Sequence, residues 1–248
     1  MDKALYISMS GAKQNMFAQR SHANNLANAN TTGFREDFAQ ARSQPVWGDY
    51  HPTRAYAMTE RPASNFKAGS MIETGRELDV AIPNQGFFVV QDPEGNEALT
   101  RAGNFVQDVN GQLLTPQGLS VMGENGPISI PPASTVNIAN DGTISLIPTD
   151  GQALDIVDIG RIRLVNPDIE TLDKGTDGLF RIKDQPGATF DQDPNVTVMS
   201  GFLESSNVNS INAMTEMMSH QRQYELQVKM MKTSEENSEK VASLLQIQ

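Results

Sequence analysis

One acidic stretch of the chain has the composition of a metal-binding loop. The segment Asp191-Gln192-Asp193-Pro194-Asn195 carries oxygen ligands at the spacing with which a helix-loop-helix calcium site begins. However, Val196 stands where that loop needs a glycine, and Phe202 stands where it needs a bidentate glutamate. The sequence therefore gives little support to calcium binding, and we expect no metal site and no cofactor.

Groups that could perform catalysis are sparse and scattered. His22, His51 and His220 lie far apart in the sequence, so no pair has the one-turn spacing of a zinc protease, and we place His22 and His220 on solvated or interfacial helix faces. The chain has no cysteine, no Gly-x-x-x-x-Gly-Lys phosphate loop and no Gly-x-Ser-x-Gly elbow. Carboxylate pairs such as Asp155 and Asp158 are typical of a solvated sheet surface. We therefore predict no catalytic residue and no enzymatic activity.

The charge balance excludes further classes of function. Against 19 Lys plus Arg stand 30 Asp plus Glu, which gives a net charge of −11. This charge repels phosphate backbones, so we expect no nucleic-acid partner. The longest clear apolar run, Phe87-Phe88-Val89-Val90, is far shorter than the roughly 20 residues of a membrane span, and we expect no direct membrane insertion. The N-terminus has no signal-peptide pattern, so Sec-type secretion is not expected.

The beginning of the chain has the pattern of an amphipathic helix. Apolar or small residues recur there in steps of four and three, interrupted only at Gln19. They are Leu5, Met9, Ala12, Met16, Ala23 and Leu26. Because asparagine and glycine favour turns and helix caps, we expect this helix to end in the Asn-rich residues 24–30, before Thr31-Thr32-Gly33.

A longer helix is predicted at the other end of the chain. After the possible caps Ser205-Ser206-Asn207, no Gly or Pro occurs as far as Leu245. The predicted apolar seam runs through Met214, Met217, Gln221, Tyr224, Val228 and Met231. At 1.5 Å per residue such a helix is roughly 55 to 60 Å long, more than a compact chain of this size buries. We expect the N-terminal helix to cover part of it and other subunits to cover the rest.

Between the two helices the pattern changes to strands and tight turns. Phe87 to Val90 and Ala98 to Arg101 flank a turn at Pro93-Glu94-Gly95-Asn96, and this predicts a hairpin. Asn110-Gly111, Asp141-Gly142 and Asp150-Gly151 signal further two-residue turns. Residues 43–75 have weak periodicity and three prolines, which indicates an extended connector or a small accessory β element.

These patterns together predict an α+β fold. The N- and C-terminal helices form one discontinuous, coiled-coil-like helical domain, into which an antiparallel β domain is inserted. The predicted divisions are residues 1–34 for the first helical part, 35–75 for the connector or accessory β element, 76–204 for the β domain and 205–248 for the second helical part.

Four blocks that span nearly the whole chain carry a family resemblance. They are residues 23–35 (ANNLANANTTGFR), 78–88 (LDVAIPNQGFF), 101–118 (with RAGNF and GQLLTPQG) and 201–225 (with GFLESSNV and QRQYE). In these blocks the chain resembles the flagellar axial proteins, the family of rod, hook and hook-associated subunits. Residues 55–62 (AYAMTERP) and 74–79 (TGRELD), with the overall length, are most similar to the proximal-rod branch. A distal-rod or hook subunit of the same family is the alternative, although a long polar insertion expected in the distal-rod branch is missing.

The resemblance implies a structural subunit of the flagellar basal-body rod, the drive shaft that crosses the periplasm and transmits torque from motor to hook in bacterial motility. It also implies type III export from the cytoplasm without a cleaved signal. The implied partners are other rod proteins (FlgB, FlgC, FlgG), further copies of this chain and the type III export apparatus.

The residues expected at the assembly interface lie on the two helices and on the turn after the first helix. They are Leu5, Met9, Met16, Asn24, Asn25, Leu26, Asn28, Thr32, Gly33, Phe34, Val208, Met214, Met217, Tyr224, Val228 and Met231. Two alternatives stay open at this point. The same residues could stabilise the fold of one chain only, and the chain could be a non-flagellar binding module on a helical stalk.

Overall fold

The structure is a computed structural model that describes residues 2–48, 51–59, 63–148, 156–183, 185 and 187–245. Its elements are α1 (Asp2–Ala27), β1 (Asp37–Phe38), β2 (Ala41–Trp47), β3 (Pro52–Thr59), β4 (Ala63–Ser64), β5 (Met71–Glu73), β6 (Val80–Ala81), β7 (Phe87–Gln91), β8 (Glu97–Thr100), β9 (Val106–Gln107), β10 (Leu113–Leu114), β11 (Ser120–Gly123), β12 (Gly126–Pro127), β13 (Ala133–Ile138), β14 (Thr143–Pro148), β15 (Val157–Arg161), β16 (Leu164–Val165), a 3₁₀ turn (Ile169–Thr171), β17 (Leu172–Lys174), β18 (Phe180–Ile182), β19 (Met199–Ser200), β20 (Phe202–Glu204) and α2 (Ser210–Leu245). The predicted α+β class, with helical ends and a strand-rich middle, is confirmed.

The chain divides into two compact units. We call residues 1–29, 36–65 and 208–248 the helical unit, and residues 30–35 and 66–207 the β unit. The segment 35–75, predicted as a connector or accessory β element, is therefore divided between them. Its first part forms the hairpin of β2 and β3, in which Pro45 pairs with Ala55. A proline fits here because a two-stranded hairpin leaves one edge of each strand free of ladder bonds.

The β unit is built from antiparallel strand pairs throughout its described residues. A nine-stranded sheet has the order β17-β18-β8-β7-β11-β10-β9, with β12 beside β11 and β16 beside β7. A three-stranded sheet has the order β13-β14-β15, and two short pairs join β19 to β6 and β20 to β5.

Three predicted hairpins are confirmed in the β unit. β7 pairs with β8, β9 pairs with β10 around Asn110-Gly111, and β13 pairs with β14 around Asp141-Gly142. The predicted turn at Asp150-Gly151 lies outside the described residues, as do residues 60–62 of the family pattern and Asp155.

The core of the β unit explains why β7 is an unbroken apolar run. Phe88 packs with residues of the three-stranded sheet such as Ile144 and Leu146. Phe87 and Val89 point the other way and pack with Phe180. Because successive side chains of a strand alternate between faces, a strand that is covered on both faces has apolar residues at every position.

Candidate assembly interface

Helix α1 buries small and polar residues rather than its methionines. Ser8, Ala12, Asn15 and Ala18 are buried, whereas Met9 and Met16 of the predicted seam are 50% and 51% exposed. Of the other predicted seam positions, Ala12 is buried, Leu5 and Leu26 are half-buried and Ala23 is exposed. Small side chains let α2, β3 and β1, which all contact α1, approach closely. The period was predicted correctly, but the buried stripe lies to one side of the predicted one.

Helix α2 begins later than predicted. Its first turn is capped by Asn209, whose Oδ1 accepts hydrogen bonds from the N–H groups of Ile211 and Asn212, both at 3.1 Å. The prediction of Ser205, Ser206 or Asn207 as the cap was wrong. The side chains of Ser205 and Asn207 are instead engaged within the β unit, where Ser205 Oγ lies 2.9 Å from Ser70 Oγ and Asn207 Nδ2 donates to the Lys67 carbonyl at 2.9 Å.

The two helices pair antiparallel. The His220 Nδ1 atom lies 3.2 Å from Asn15 Oδ1, and a Cβ atom built at Gly11 would lie 3.1 Å from the Gln227 side chain. The less exposed positions of α2 recur at the four-three spacing of a helix pair. They are Ala213, Met217, His220, Gln227, Met231, Ser234 and Ser238, with Tyr224, 39% exposed, in the same register; Ser219, also half-buried, lies outside this spacing.

Three predicted positions of α2 lie on this seam and three lie beside it. Met217, Tyr224 and Met231 belong to the seam, whereas Met214, Gln221 and Val228 are each displaced by one residue and exposed. The heptad spacing alone does not distinguish the seam from the stripe beside it, since both repeat at the same interval.

Large apolar side chains remain uncovered on both sides of the α2 seam. At 100° per residue, one exposed stripe lies on one flank between residues 211 and 228, and the other lies on the opposite flank between residues 226 and 244. The first stripe is Ile211, Met214, Met218 and Val228; the second is Leu226, Met230, Val241 and Leu244. On α1, Tyr6, Ile7, Met9 and Met16 are exposed as well. Patches of this kind mark interaction surfaces.

The Asn-rich end of α1 is tied to its own chain. Asn25 is fully buried; its Nδ2 donates to the Asp37 carbonyl at 2.8 Å, and its Oδ1 accepts from the Asp37 N–H at 2.9 Å. Asn28 Nδ2 donates to both the carbonyl and the Oδ1 of Asn24 at 3.0 Å. For Asn25, contacts within a single chain engage both the nitrogen and the oxygen of the amide group.

The turn that follows belongs to the β unit. Gly33 has a φ of 66°, and a Cβ atom at this position would lie 2.4 Å from the Arg101 carbonyl carbon, so only glycine fits. The half-buried Phe34 ring lies under the Lys174 ammonium, with Nζ 3.8 Å from its centroid. Thr32 and Val208 are also half-buried.

The seam contains two histidines, one from each helix. The rings of His22 and His220 stack with centroids 5.5 Å apart and 20° between their planes. Burial, together with the neighbouring His22, lowers the pKa of His220, while Glu216 acts in the opposite direction. Of the two placements predicted, solvated or interfacial, the structure shows the interfacial one. The pairing of the two histidines was not predicted, since no local signal links residues so far apart in the sequence.

The other groups considered for chemistry form no site. Among the described residues, no three His, Asp or Glu side chains gather so that they could hold a metal ion. In the calcium-like segment, Asp193 Oδ1 accepts hydrogen bonds from the N–H and Nδ2 of Asn195, both at 2.9 Å. Neither described helix is apolar enough over its length to cross a membrane.

Comparison with known proteins identifies the family. Residues 5–35 match the flagella basal body rod protein family, residues 81–146 match the flagellar hook protein FlgE/F/G D1 domain, and residues 199–244 match the flagellar basal body rod FlgEFG protein C-terminal family. The flagellar basal-body rod protein FlgF of Escherichia coli (strain K12) is 39% identical over 249 residues, with 99% of both chains covered. The chain belongs to the flagellar basal-body rod protein family.

Two further relatives bear on the branch of the rod family. FlgF of Caulobacter vibrioides is 36% identical over 251 residues and covers 96% of both chains. FlgG of Bacillus subtilis (strain 168) is 32% identical over 269 residues, with 98% of this chain and 99% of the relative covered. The resemblance to FlgF predicted from the sequence is thereby confirmed. Because these relatives are structural rod proteins, the prediction that this rod protein is not an enzyme is confirmed too.

Proposed function

We propose that the chain is a structural subunit of the bacterial flagellar rod, of the FlgF type, and that it polymerises through α1 and α2. The observation that carries the proposal is the pair of exposed apolar stripes on the two flanks of the α2 seam. Burying a large apolar side chain contributes about 1.5 to 3 kcal/mol. Uncovered stripes of this size therefore favour assembly with neighbouring helices.

The arrangement of the stripes favours a polymer over a closed dimer. One stripe lies on each flank of α2, and the two are offset along the helix, overlapping only at residues 226–228. Two different surfaces on one subunit suit head-to-tail contacts, which produce an open helical filament when the rotation does not close. The exposed methionines adapt to neighbours that are not identical, because their side chains are unbranched.

The partners and the location follow from the rod family. We infer contacts with further copies of this chain and with other rod proteins, among them FlgB, FlgC and FlgG. We also infer export by the flagellar type III apparatus and a position in the part of the basal body that spans the periplasm. The proximal position is supported by the identity to FlgF of Escherichia coli and of Caulobacter vibrioides, 39% and 36%, against 32% to FlgG of Bacillus subtilis.

The test places a charge on the first stripe. In Val228→Glu, a carboxylate replaces an apolar surface beside the seam, and we expect no labelled chain in purified basal bodies by electron microscopy and no motility. The thermal transition of the β unit should stay unchanged. Val228→Met, which keeps the stripe apolar, is the matched control and should assemble.

The outcomes separate the proposal from its alternatives. Normal rods and motility with Val228→Glu would contradict the proposed surface. A lowered β-unit transition would instead favour a role of Val228 in the fold of one chain. Absence of the unmodified, labelled chain from basal bodies would refute the rod function itself.

A further inference from the structure

Two arginines of the β unit share one buried glutamate. Arg35 Nη2 lies 2.8 Å from Glu204 Oε1, and Arg101 Nε lies 2.9 Å from Glu204 Oε2. The side chains of Arg35, Arg101 and Glu204 are 3%, 3% and 1% exposed. Further guanidinium N–H groups donate to backbone carbonyls: Arg101 to Gly86 at 2.8 Å and Asn84 at 2.9 Å. We call these three charged residues the Glu204 cluster.

The Glu204 cluster lies where the chain enters and leaves the β unit. The chain passes between the two units after residues 29, 35, 65 and 207. Next to these passages, Gly33 N–H donates to the Glu204 carbonyl at 2.8 Å and Gly69 N–H donates to Glu204 Oε1 at 2.9 Å. Arg35 also donates to the Lys67 carbonyl. Three separate segments, 30–35, 66–69 and 204–207, are thus held by one carboxylate and its arginines.

Direct hydrogen bonds and a close backbone contact also join the same segments. Asn207 N–H donates to the Phe34 carbonyl at 3.3 Å, and its Nδ2 donates to the Lys67 carbonyl at 2.9 Å. A Cβ atom at Gly69 would lie 2.0 Å from the Ser205 carbonyl oxygen, so the two backbones touch.

The free-energy cost of burying three charged side chains offsets much of the stability that their pairing contributes. Burial lowers the pKa of Arg101 to about 10, against the opposing attraction of Glu204. Buried ion pairs of this kind are often no more stabilising than apolar side chains of similar volume. Their directional bonds do fix the positions of several backbone segments at once. We therefore interpret the Glu204 cluster as fixing the positions of these backbone segments relative to one another.

We propose that Arg35, Arg101 and Glu204 are positioning residues that share mechanical load among the chain segments entering and leaving the β unit. The inference rests on the proposed rod function, since a drive shaft loads every subunit. Force that is applied to α1 or α2 reaches the β unit along the backbone at the passages. Because the Glu204 cluster joins three of the segments next to them, tension on one segment is distributed over the others.

The first experiment uses Glu204→Gln in the full chain and follows amide exchange. The substitution leaves two buried guanidinium groups without their carboxylate, so the Gly33, Gly69 and Asn207 amides should exchange at least about 100-fold faster. Glu97→Gln is the matched control, because Glu97 pairs with Arg163 at 2.7 Å in the same unit and both residues lie outside the segments 30–35, 66–69 and 204–207. It should leave those three amides unchanged. Unchanged protection with Glu204→Gln, or equal loss in both variants, would overturn the proposal.

The second experiment measures rotation of single flagella in cells at low and high viscous load. Rods that carry Glu204→Gln should rotate normally at low load and fail at high load, whereas Glu97→Gln rods should rotate at both. If Glu204→Gln chains do not enter rods, Arg35→Lys, which keeps the charge but loses the planar fork, replaces it with the same expectation. Normal rotation at high load with the variant in the rod would refute load sharing. The rod function is tested separately by whether the unmodified chain is present in basal bodies.

Discussion

The two units differ in whether their large apolar side chains are buried or exposed. In the β unit, the large side chains Phe88, Phe105 and Phe180 are all at most 2% exposed. In the helical unit, the fully buried positions are small or polar, such as Ala213 and Asn25, while Ile211 is 78% exposed and Leu244 is 68% exposed. The β unit has a complete core within one chain. The helical unit leaves its large apolar residues exposed, and on the proposed function neighbouring subunits cover them.

Amide exchange in a verified monomer gives the largest expected contrast between the units. A helix pair whose fully buried positions are small or polar, and whose methionines Met217 and Met231 are only half-buried, gains little free energy from burial. Helix propensity alone does not compensate. Amides of residues 2–27 and 210–245 should therefore exchange at least about 1,000-fold faster than those of β7 and β8. Comparable slow exchange in both regions would show that the helical unit is stable without partners.

A deletion series tests whether the β unit is complete and where it ends. The fragment 74–205 contains most of the core and should fold cooperatively, but it lacks Phe66, which packs against Phe87 and Phe180, and it lacks β5, the partner of β20. We expect its free energy of unfolding in urea to be lower than that of the fragment 30–207 by about 3 kcal/mol or more.

A fragment of residues 66–207 separates the two contributions. It restores Phe66 and β5 but still lacks Arg35, so its stability should fall between those of the other two fragments. If all three fragments unfold at the same urea concentration, the segments 30–35 and 66–73 contribute nothing to the β unit.

Local signals explain what the sequence predicted well. The hairpin turns at Asn110-Gly111 and Asp141-Gly142 depend on the backbone preferences of two neighbouring residues, and they appear where expected. The helical spacing of apolar residues likewise predicted α1 and α2 correctly. Three of the six predicted α2 positions, Met214, Gln221 and Val228, lie one residue beside the seam. Small residues such as Ala213 look neutral in the sequence, although they let two helices approach closely.

Long-range pairings could not be predicted from one sequence. Arg35 and Arg101 stand inside recognisable family blocks, but nothing local indicates that both bind Glu204. The prediction of the α2 cap was wrong for a related reason. Ser205 and Asn207 are residue types that commonly cap helices, but here they bind distant segments of the β unit. Tertiary contacts decide which of several suitable residues is used.

The smallest expected effect is a difference in pH response between the units. In the helical unit, the lowered pKa of His220 means that the paired helices bind protons less readily than the separated ones, so pairing is strongest above pH 6.5 and weakens as the pH falls. In the β unit, hydrogen bonds from the Thr143 N–H and hydroxyl lower the pKa of Asp141 from 3.8, and the stability this contributes is lost only at more acidic pH. Between about pH 7 and pH 5, only the helix pair should respond.

Because the chain has no native cysteine, this difference can be measured by cross-linking. Gly11→Cys and Gln227→Cys place two thiols across the seam, where a short bifunctional thiol reagent joins them when the helices pair. Cross-linking at pH 5 should fall, by less than about tenfold, relative to the same protein carrying His22→Asn and His220→Asn at the same pH. His51→Asn, which removes an exposed histidine of the β2–β3 hairpin, is the control and should not change the yield. Equal yields in the unsubstituted and the double-histidine variants at pH 5 would show that protonation of the stacked rings does not weaken helix pairing. The carboxylate of Glu216 would then have balanced the free-energy cost of charging the rings.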